Sequence, residues 1–286
     1  MTVTDARGLP PTTTYAGFAG RAPLAARLRR AARDTAVGAL SLGRRIDRDS
    51  GWIRFPYYHH VFDDERTGFE RQVDYLARFG EFVSLDDALS LLEGEVSIDG
   101  RYFSISFDDG FKSCITGALP VLAERGVPWA VYLVSDFVGR SLTPGDPVAR
   151  EVFNFSGHGT TLHFLDWDDC RAMAKNGVTL GSHGATHARL ASLDDAAAVR
   201  EIAGSKATIE RELGQSCAHF CPPFGVADRD FDGSRDPALA REAGYRSFVT
   251  GRRGPARRGA DAFRLGRDHV LAGWGTHQLR YFLSLP

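Results

Sequence analysis

Two short stretches of this sequence carry residue types that could do chemistry together. The first is Phe103-Ser104-Ile105-Ser106-Phe107-Asp108-Asp109-Gly110, an alternating apolar run that stops at two adjacent carboxylates and a glycine. Such alternation reads as a strand, and Gly110 gives the backbone the freedom for a sharp turn that brings both acids to one spot. Asp-Asp-Gly is also a common turn sequence, so alone it decides nothing. The second stretch is Leu180-Gly181-Ser182-His183-Gly184-Ala185-Thr186-His187, again just beyond an apolar run. Histidines four apart share a helical face or converge from a tight loop, as two ligands of one ion must. With nine histidines in the chain, one such pair is unremarkable. Joined to the acids, however, the set is two imidazoles, a carboxylate and a second carboxylate beside it. That composition suits a catalytic zinc site with an open position and a general base.

The elements that must position these residues alternate between short apolar runs and amphipathic stretches from Gly51 onward. Strands are expected at Trp52–Val61, Tyr102–Phe107, Trp129–Val134, Val178–Leu180, Ala218–Cys221, Tyr245–Val249 and Leu265–Val270. Between them, Ser84 and Asp166 look like helix N-caps, and Gly177 like a left-handed stop. About seven such units and no internal repeat predict an α/β fold, a distorted (β/α) barrel of about seven parallel strands. Both chemical stretches then lie at strand ends on the barrel's active face.

The chain has 286 residues, 43% hydrophobic and 25% charged, with 35 Lys+Arg against 36 Asp+Glu. This balance excludes a disordered or membrane-spanning body and argues against nucleic acid as a partner. Four cysteines make no disulfide scaffold and suit a reducing compartment. Residues 1–20, rich in Thr, Pro, Gly and Ala, are expected to be a mobile tail. Residues 21–50 read as a basic helical extension, with eight arginines from Arg21 to Arg48 against Asp34 and Asp47. Its stripe of Leu24, Leu28, Ala31, Thr35 and Leu42 is expected to pack on the following domain, 51–286. The alternative is peripheral attachment of residues 21–48 to an anionic membrane surface. Met1 to Gly20 lacks a basic start followed by an apolar run, so a cytoplasmic location is expected, with the inner face of the membrane as its variant.

Phe107-Asp108-Asp109-Gly110 and Ser182-His183-Gly184-Ala185-Thr186-His187 resemble the first two signature motifs of the polysaccharide deacetylases, the NodB-homology or family 4 carbohydrate esterases. Weaker signals follow in the same order: Tyr58-His59-His60, Leu85-Asp86-Asp87-Ala88-Leu89, Phe164-Leu165-Asp166-Trp167 and Ala243-Gly244-Tyr245-Arg246. Among subgroups the chain looks most like bacterial exopolysaccharide deacetylases that act on poly-N-acetylglucosamine-type chains. The resemblance implies a distorted barrel and metal-dependent removal of N-acetyl groups. By position Asp109, His183 and His187 match the metal ligands and Asp108 the base. The implied ion is divalent, zinc first, with cobalt or another divalent ion as alternatives.

The third motif of that family is usually Arg-x-Pro-Phe/Tyr, and its counterpart here is Cys221-Pro222-Pro223-Phe224-Gly225. Cysteine stands where the arginine that pairs with the base would be, and Arg267 is the expected replacement. Phe224 matches the donor of an oxyanion N–H, with the Pro-Pro pair stiffening its loop. For the general acid the candidates are His269, at a spacing that departs from the family's late Leu-x-His motif, and His59. His59 and Pro223 are otherwise expected to contact substrate. Cys217 and Cys221 with His219 between them are expected to be buried thiols rather than a second metal site. Arg252, Arg253, Arg257 and Arg258 read as a solvated loop or, alternatively, a groove for an anionic glycan. His158 and His163, with Phe153 and Phe155, fall in a long loop from Ser135 to about Phe164 that could cover the cleft.

The expected function is removal of N-acetyl groups from an N-acetylhexosamine-containing saccharide in exopolysaccharide biosynthesis. The rivals are a catalytically inert barrel that binds glycan or a partner, and an O-acetyl esterase on the same site.

Overall fold

The structure is a computed structural model that describes residues 8–20, 23–94, 97–157 and 159–285. Eight short strands form its central sheet: β1 (Pro56–Tyr58), β2 (Ile105–Phe107), β3 (Trp129–Leu133), β4 (Thr179–Ser182), β5 (His219–Phe220), β6 (Ser247–Thr250), β7 (Leu265–Gly266) and β8 (Asp268–His269). Their order is β7-β6-β5-β4-β3-β2-β1-β8, and every pairing is parallel. All five residues of β3 are buried, as expected of a parallel sheet covered on both sides.

β7 and β8 stand at opposite ends of that order, yet only Arg267 separates them. Leu265 pairs with Val249 of β6, and Asp268 with Pro56 of β1. One extended segment thus grips both free edges and closes the barrel, which is the seventh strand anticipated from Leu265–Val270. Successive side chains of an extended segment point to opposite faces. Arg267 accordingly turns inward to Asp108, whereas Asp268 turns to Arg54, 3.0 Å away.

Two of the expected strands change partners midway. Trp52–Arg54 and Arg101–Phe103 leave the barrel at Phe55 and Ser104 and pair with each other and with Glu81–Phe82 in a small parallel sheet. Helices begin as capping chemistry predicts: Ser84 accepts from the Asp87 N–H, and Asp166 and Asp169 form a reciprocal capping box. A long helical stretch starts at the Asp194 cap and runs from Asp195 to Leu213 through one wider turn at Arg200–Gly204.

Two expectations for the first fifty residues are corrected. Residues 8–20 are not a free tail: Thr12 and Thr161 bond backbone to backbone, Phe18 stacks beside His60 and Phe155, and the short helix Tyr15–Ala19 sits on the barrel rim. Two aromatic side chains supply the anchorage that small residues could not. The basic helix Leu24–Ser41 does form, but Leu24, Leu28 and Leu42 are 68%, 62% and 74% exposed. Its contact face is Val37 and Ser41, with Asp34 bonded to His277 on the helix Thr276–Leu283. The leucine stripe therefore faces away from the domain. Residues 1–7, Arg21 and His158 lie outside the described residues. No helix among the described residues is long and apolar enough to cross a membrane.

Candidate active site

Both chemical stretches emerge from neighbouring parts of the barrel mouth, Asp108 and Asp109 after β2 and His183 to His187 after β4. Asp109, His187 and Phe224 hold left-handed backbone conformations, φ +72°, +65° and +63°. Non-glycine residues adopt this region at a cost, and here it aims three side chains at one cleft. Asp109 Oδ1 lies 3.1 Å from His187 Nε2 and 3.5 Å from His183 Nε2, all three residues being buried.

The proton positions explain what this cluster lacks. His183 Nδ1 donates to the Cys221 carbonyl at 2.7 Å, and burial lowers the ring to a pKa of about 4. Its Nε2 is then a bare lone pair turned toward a carboxylate oxygen. Asp109 Oδ1 is buried without a hydrogen-bond partner, as is His187 Nδ1. Lone pairs crowded together in a dry pocket repel unless a cation lies between them, so the residues present fit a divalent ion. The bond from His183 to a carbonyl is of the kind that orients a histidine toward an ion.

Asp108 is equally buried and differently served. Arg267 Nη1 and Nη2 meet its two oxygens at 2.7 and 2.8 Å, a bidentate fork. Burial alone would raise the Asp108 carboxyl, but Arg267, with His183 behind it, holds it below the usual carboxylate range. Arg267 is itself packed on the Tyr57 ring at 4.0 Å and donates to Ser106. Cys221 fills the space beside this pair, its Sγ 2.8 Å from Arg267 Nη2. Although Asp108, His183 and Cys221 also lie close enough to hold an ion, Arg267 already supplies the positive charge there. Cys217 and His219 lie apart from this cluster: Cys217 accepts from Lys206 through its carbonyl, and His219 bonds Ser247. Among the described residues they form no metal group.

A cleft of about 360 Å³ opens over these residues, walled by His59, His269, Phe153, Phe224, Glu65 and the rim residues Tyr15 and Phe18. The Phe224 N–H takes part in no hydrogen bond among the described residues, while Arg189 covers its ring at 3.8 Å. Pro223 is buried behind it and touches the Gly184 position rather than lining the cleft. His59 and His269 are edge-to-face at 5.2 Å. Burial, with His59 and Arg253 nearby, pushes His269 down to about 3. Phe155 packs the long loop itself, whereas Phe153 reaches His187 at 5.2 Å.

Sequence reasoning missed Glu201, the residue that shapes the histidine loop. Its carboxylate accepts from the Ala185 and Thr186 N–H groups at 2.9 Å and from the Thr186 hydroxyl at 2.7 Å. Nothing local in the sequence marks it, since its burial and its bonds to the loop arise only when the helix crosses that loop. Glu65, pushed up to about 7 by burial, was missed as well.

Comparison with known proteins agrees with this geometry. The family model described as Polysaccharide deacetylase matches residues 96–248. YxkH of Bacillus subtilis (strain 168) is 21% identical over 249 residues, covering 82% of this chain and 80% of its own. IcaB from Ammonifex degensii superposes with a TM-score of 0.67 at 22% identity, over 83% of this chain and 98% of that one. The Streptococcus pyogenes deacetylase PplD, solved in complex with acetate, gives 0.64 at 18% identity over 83% and 100%. At these identities the structural likeness speaks for the fold.

Proposed function

Because the chain belongs to the polysaccharide deacetylase family, we propose that it is a metal-dependent N-deacetylase that hydrolyses the acetamido group of N-acetylhexosamine units in a bacterial polysaccharide or its precursor. The observation that carries this reading is the meeting of three buried ligand atoms with a separately compensated carboxylate beside them. A binding module has no need of a base held ready next to a ligand set.

Asp109, His183 and His187 would hold the ion. Bound there, a divalent ion supplies Lewis acidity, polarising the acetyl carbonyl and making water a nucleophile near neutral pH. Asp108 accepts the proton of the attacking water, and Arg267 keeps that carboxylate ionised and oriented. The Phe224 N–H donates to the oxygen on which charge develops. As the C–N bond breaks, the leaving nitrogen takes a proton, giving a free amine and acetate. His59 is our donor for that step, since His269 at about 3 meets the substrate as a neutral ring and serves to orient its neighbour. Phe153 and Phe224 line the cleft that the sugar would enter and give it apolar wall.

The test is acetate release from defined N-acetylglucosamine oligomers by metal-loaded protein, with and without chelator, alongside O-acetyl substrates and metal analysis. Chelator-sensitive release from the N-acetyl oligomers is expected. Metal-loaded protein that releases no acetate would favour an inert glycan-binding barrel, and preference for O-acetyl substrates would favour an esterase. The exposed Leu24, Leu28 and Leu42 among arginines favour, in addition, peripheral contact of residues 21–48 with the inner face of the membrane. Fractionation of cells carrying Leu24→Ser/Leu28→Ser protein tests this, with movement to the soluble fraction expected.

A further inference from the structure

Behind the closing segment of the barrel lies a second concave region, of about 660 Å³, walled by guanidinium groups from two distant parts of the chain. Arg44, Arg45 and Arg48 reach it from the end of the basic extension. Arg252, Arg253, Arg257 and Arg264 reach it from the chain between and around β6 and β7. Like charges so concentrated repel one another, and the chain as a whole, with 35 Lys+Arg against 36 Asp+Glu, carries no net positive charge that would make such a cluster unremarkable.

Carboxylates answer only part of this charge. Asp47 pairs with Arg45 at 3.1 Å, Asp261 approaches Arg264 at 3.8 Å, Asp49 lines the cleft without an ion pair among the described residues, and Asp268 spends its good contact on Arg54 and stays 3.8 Å from Arg253. Other arginines are fixed by neutral carbonyls: Arg44 by Leu40, Arg253 by His269, Arg257 by Ser50 and Gly51. A carbonyl sets the direction of a guanidinium without cancelling its charge. Arg253 Nη1 is buried with no hydrogen-bond partner, and neither Arg48 nor Arg252 forms an ion pair among the described residues. A buried guanidinium N–H left open is expensive unless something fills the space in front of it.

We propose that this cleft binds a phosphoryl-bearing anion carrying at least two negative charges, of the diphosphate class. Guanidinium forks match phosphate oxygens in bidentate fashion. A single carboxylate would leave most of the positive charge unanswered. The volume is that of a small-molecule site, too small for a nucleic-acid duplex. The inference is independent of the acetyl chemistry at the barrel mouth. The same chemistry could come from a soluble phosphate compound or from a phosphorylated lipid headgroup.

Titration calorimetry of the full chain with inorganic pyrophosphate, at about 50 mM salt to limit screening, tests the site. Saturable binding at one site is expected. It should weaken about tenfold or more in Arg48→Gln/Arg252→Gln, two exposed positions outside the catalytic machinery. It should be unchanged in Arg29→Gln/Arg33→Gln on the exposed helix, and thermal melting verifies that both variants fold. Absence of saturable heat, or equal loss in both variants, overturns the proposal, the latter by showing a diffuse field. Flotation with phosphatidylglycerol vesicles distinguishes the sources. Vesicle binding that pyrophosphate competes away and Arg48→Gln/Arg252→Gln abolishes identifies a headgroup. Pyrophosphate binding with vesicle binding indifferent to both identifies a soluble ligand.

Discussion

Asp108 and Asp109 are neighbours in sequence and nearly equal in burial, and the two halves of the barrel mouth they define solve one electrostatic problem in opposite ways. Around Asp108 the counter-charge is built in, as a bidentate arginine packed on an aromatic ring. Around Asp109 no arginine or lysine among the described residues plays that part, and one of its oxygens faces the Nε2 atoms of two histidines at 3.1 and 3.5 Å. The cleft holds a third solution at Glu65, where no cation is supplied and burial keeps the proton on the carboxyl to about pH 7. A buried carboxylate needs an arginine, an ion, a proton or, as at Glu201, a set of hydrogen-bond donors to compensate it, and the choice among these bears on what each acid can do. On the proposed function, the first makes a positioned base, the second a ligand and the third a neutral hydrogen-bonder.

The contrast can be broken first at the ligand half. Asp109→Asn or His187→Ala is expected to lose bound metal and to cut turnover about a thousandfold or more, read by metal analysis and acetate release. Asp108→Asn is expected to keep the metal while kcat falls about 10²–10⁴-fold. If metal content fell equally in both, the division of labour between the adjacent acids would be wrong.

Arg267→Gln comes next, because it strands a buried carboxylate. Unfolding should become about 3–5 kcal/mol easier, and the acid limb of kcat/KM should move upward as Asp108 loses the charge that holds it down. Adding Cys221→Arg to that variant restores a guanidinium next to Asp108, and partial recovery of rate is the expected outcome. A double variant no better than the single would show that position 221 cannot take over the role.

The third solution gives a smaller, pH-dependent signal. Glu65 has a folded-state pKa raised from 4.5 to about 7. Its protonated form therefore stabilises the fold below the unfolded value, and that contribution is lost as pH rises through about 7. Relative to Glu65→Gln, the unmodified protein should lose about 1–2 kcal/mol between pH 4.5 and 7, allowing for its partial exposure. Thermal melts across that range provide the measurement, and parallel curves for the two proteins would rule the assignment out. The least effect is expected at Leu28→Ser, where stability should stay within about 0.5 kcal/mol because the side chain faces solvent.

The sequence made the ligand half far more legible than its supports. Adjacent acids at a strand end and paired histidines are local patterns, and strand periodicity placed both at the mouth of a barrel. Arg267 was within reach because an arginine missing from position 221 had to be replaced by something. Glu201 was not, since its bonds to the histidine loop depend on how a helix 15 residues further on crosses that loop. The apolar stripe of the basic helix misled for a related reason: Leu24 and Leu28 define a face, but periodicity alone does not say what that face meets. The seating of residues 8–20 was hidden by composition, in which Tyr15 and Phe18 are outnumbered by small residues.

The split final strand has one more consequence. The two edges of the sheet are joined where Arg267 stands, so sealing the cylinder and neutralising Asp108 are a single structural event. A chain whose other strands have assembled but whose seam is still open carries an uncompensated carboxylate in its core and, on the proposed mechanism, lacks its positioned base. On that mechanism, competence for catalysis is tied to closure of the seam between the two sheet edges.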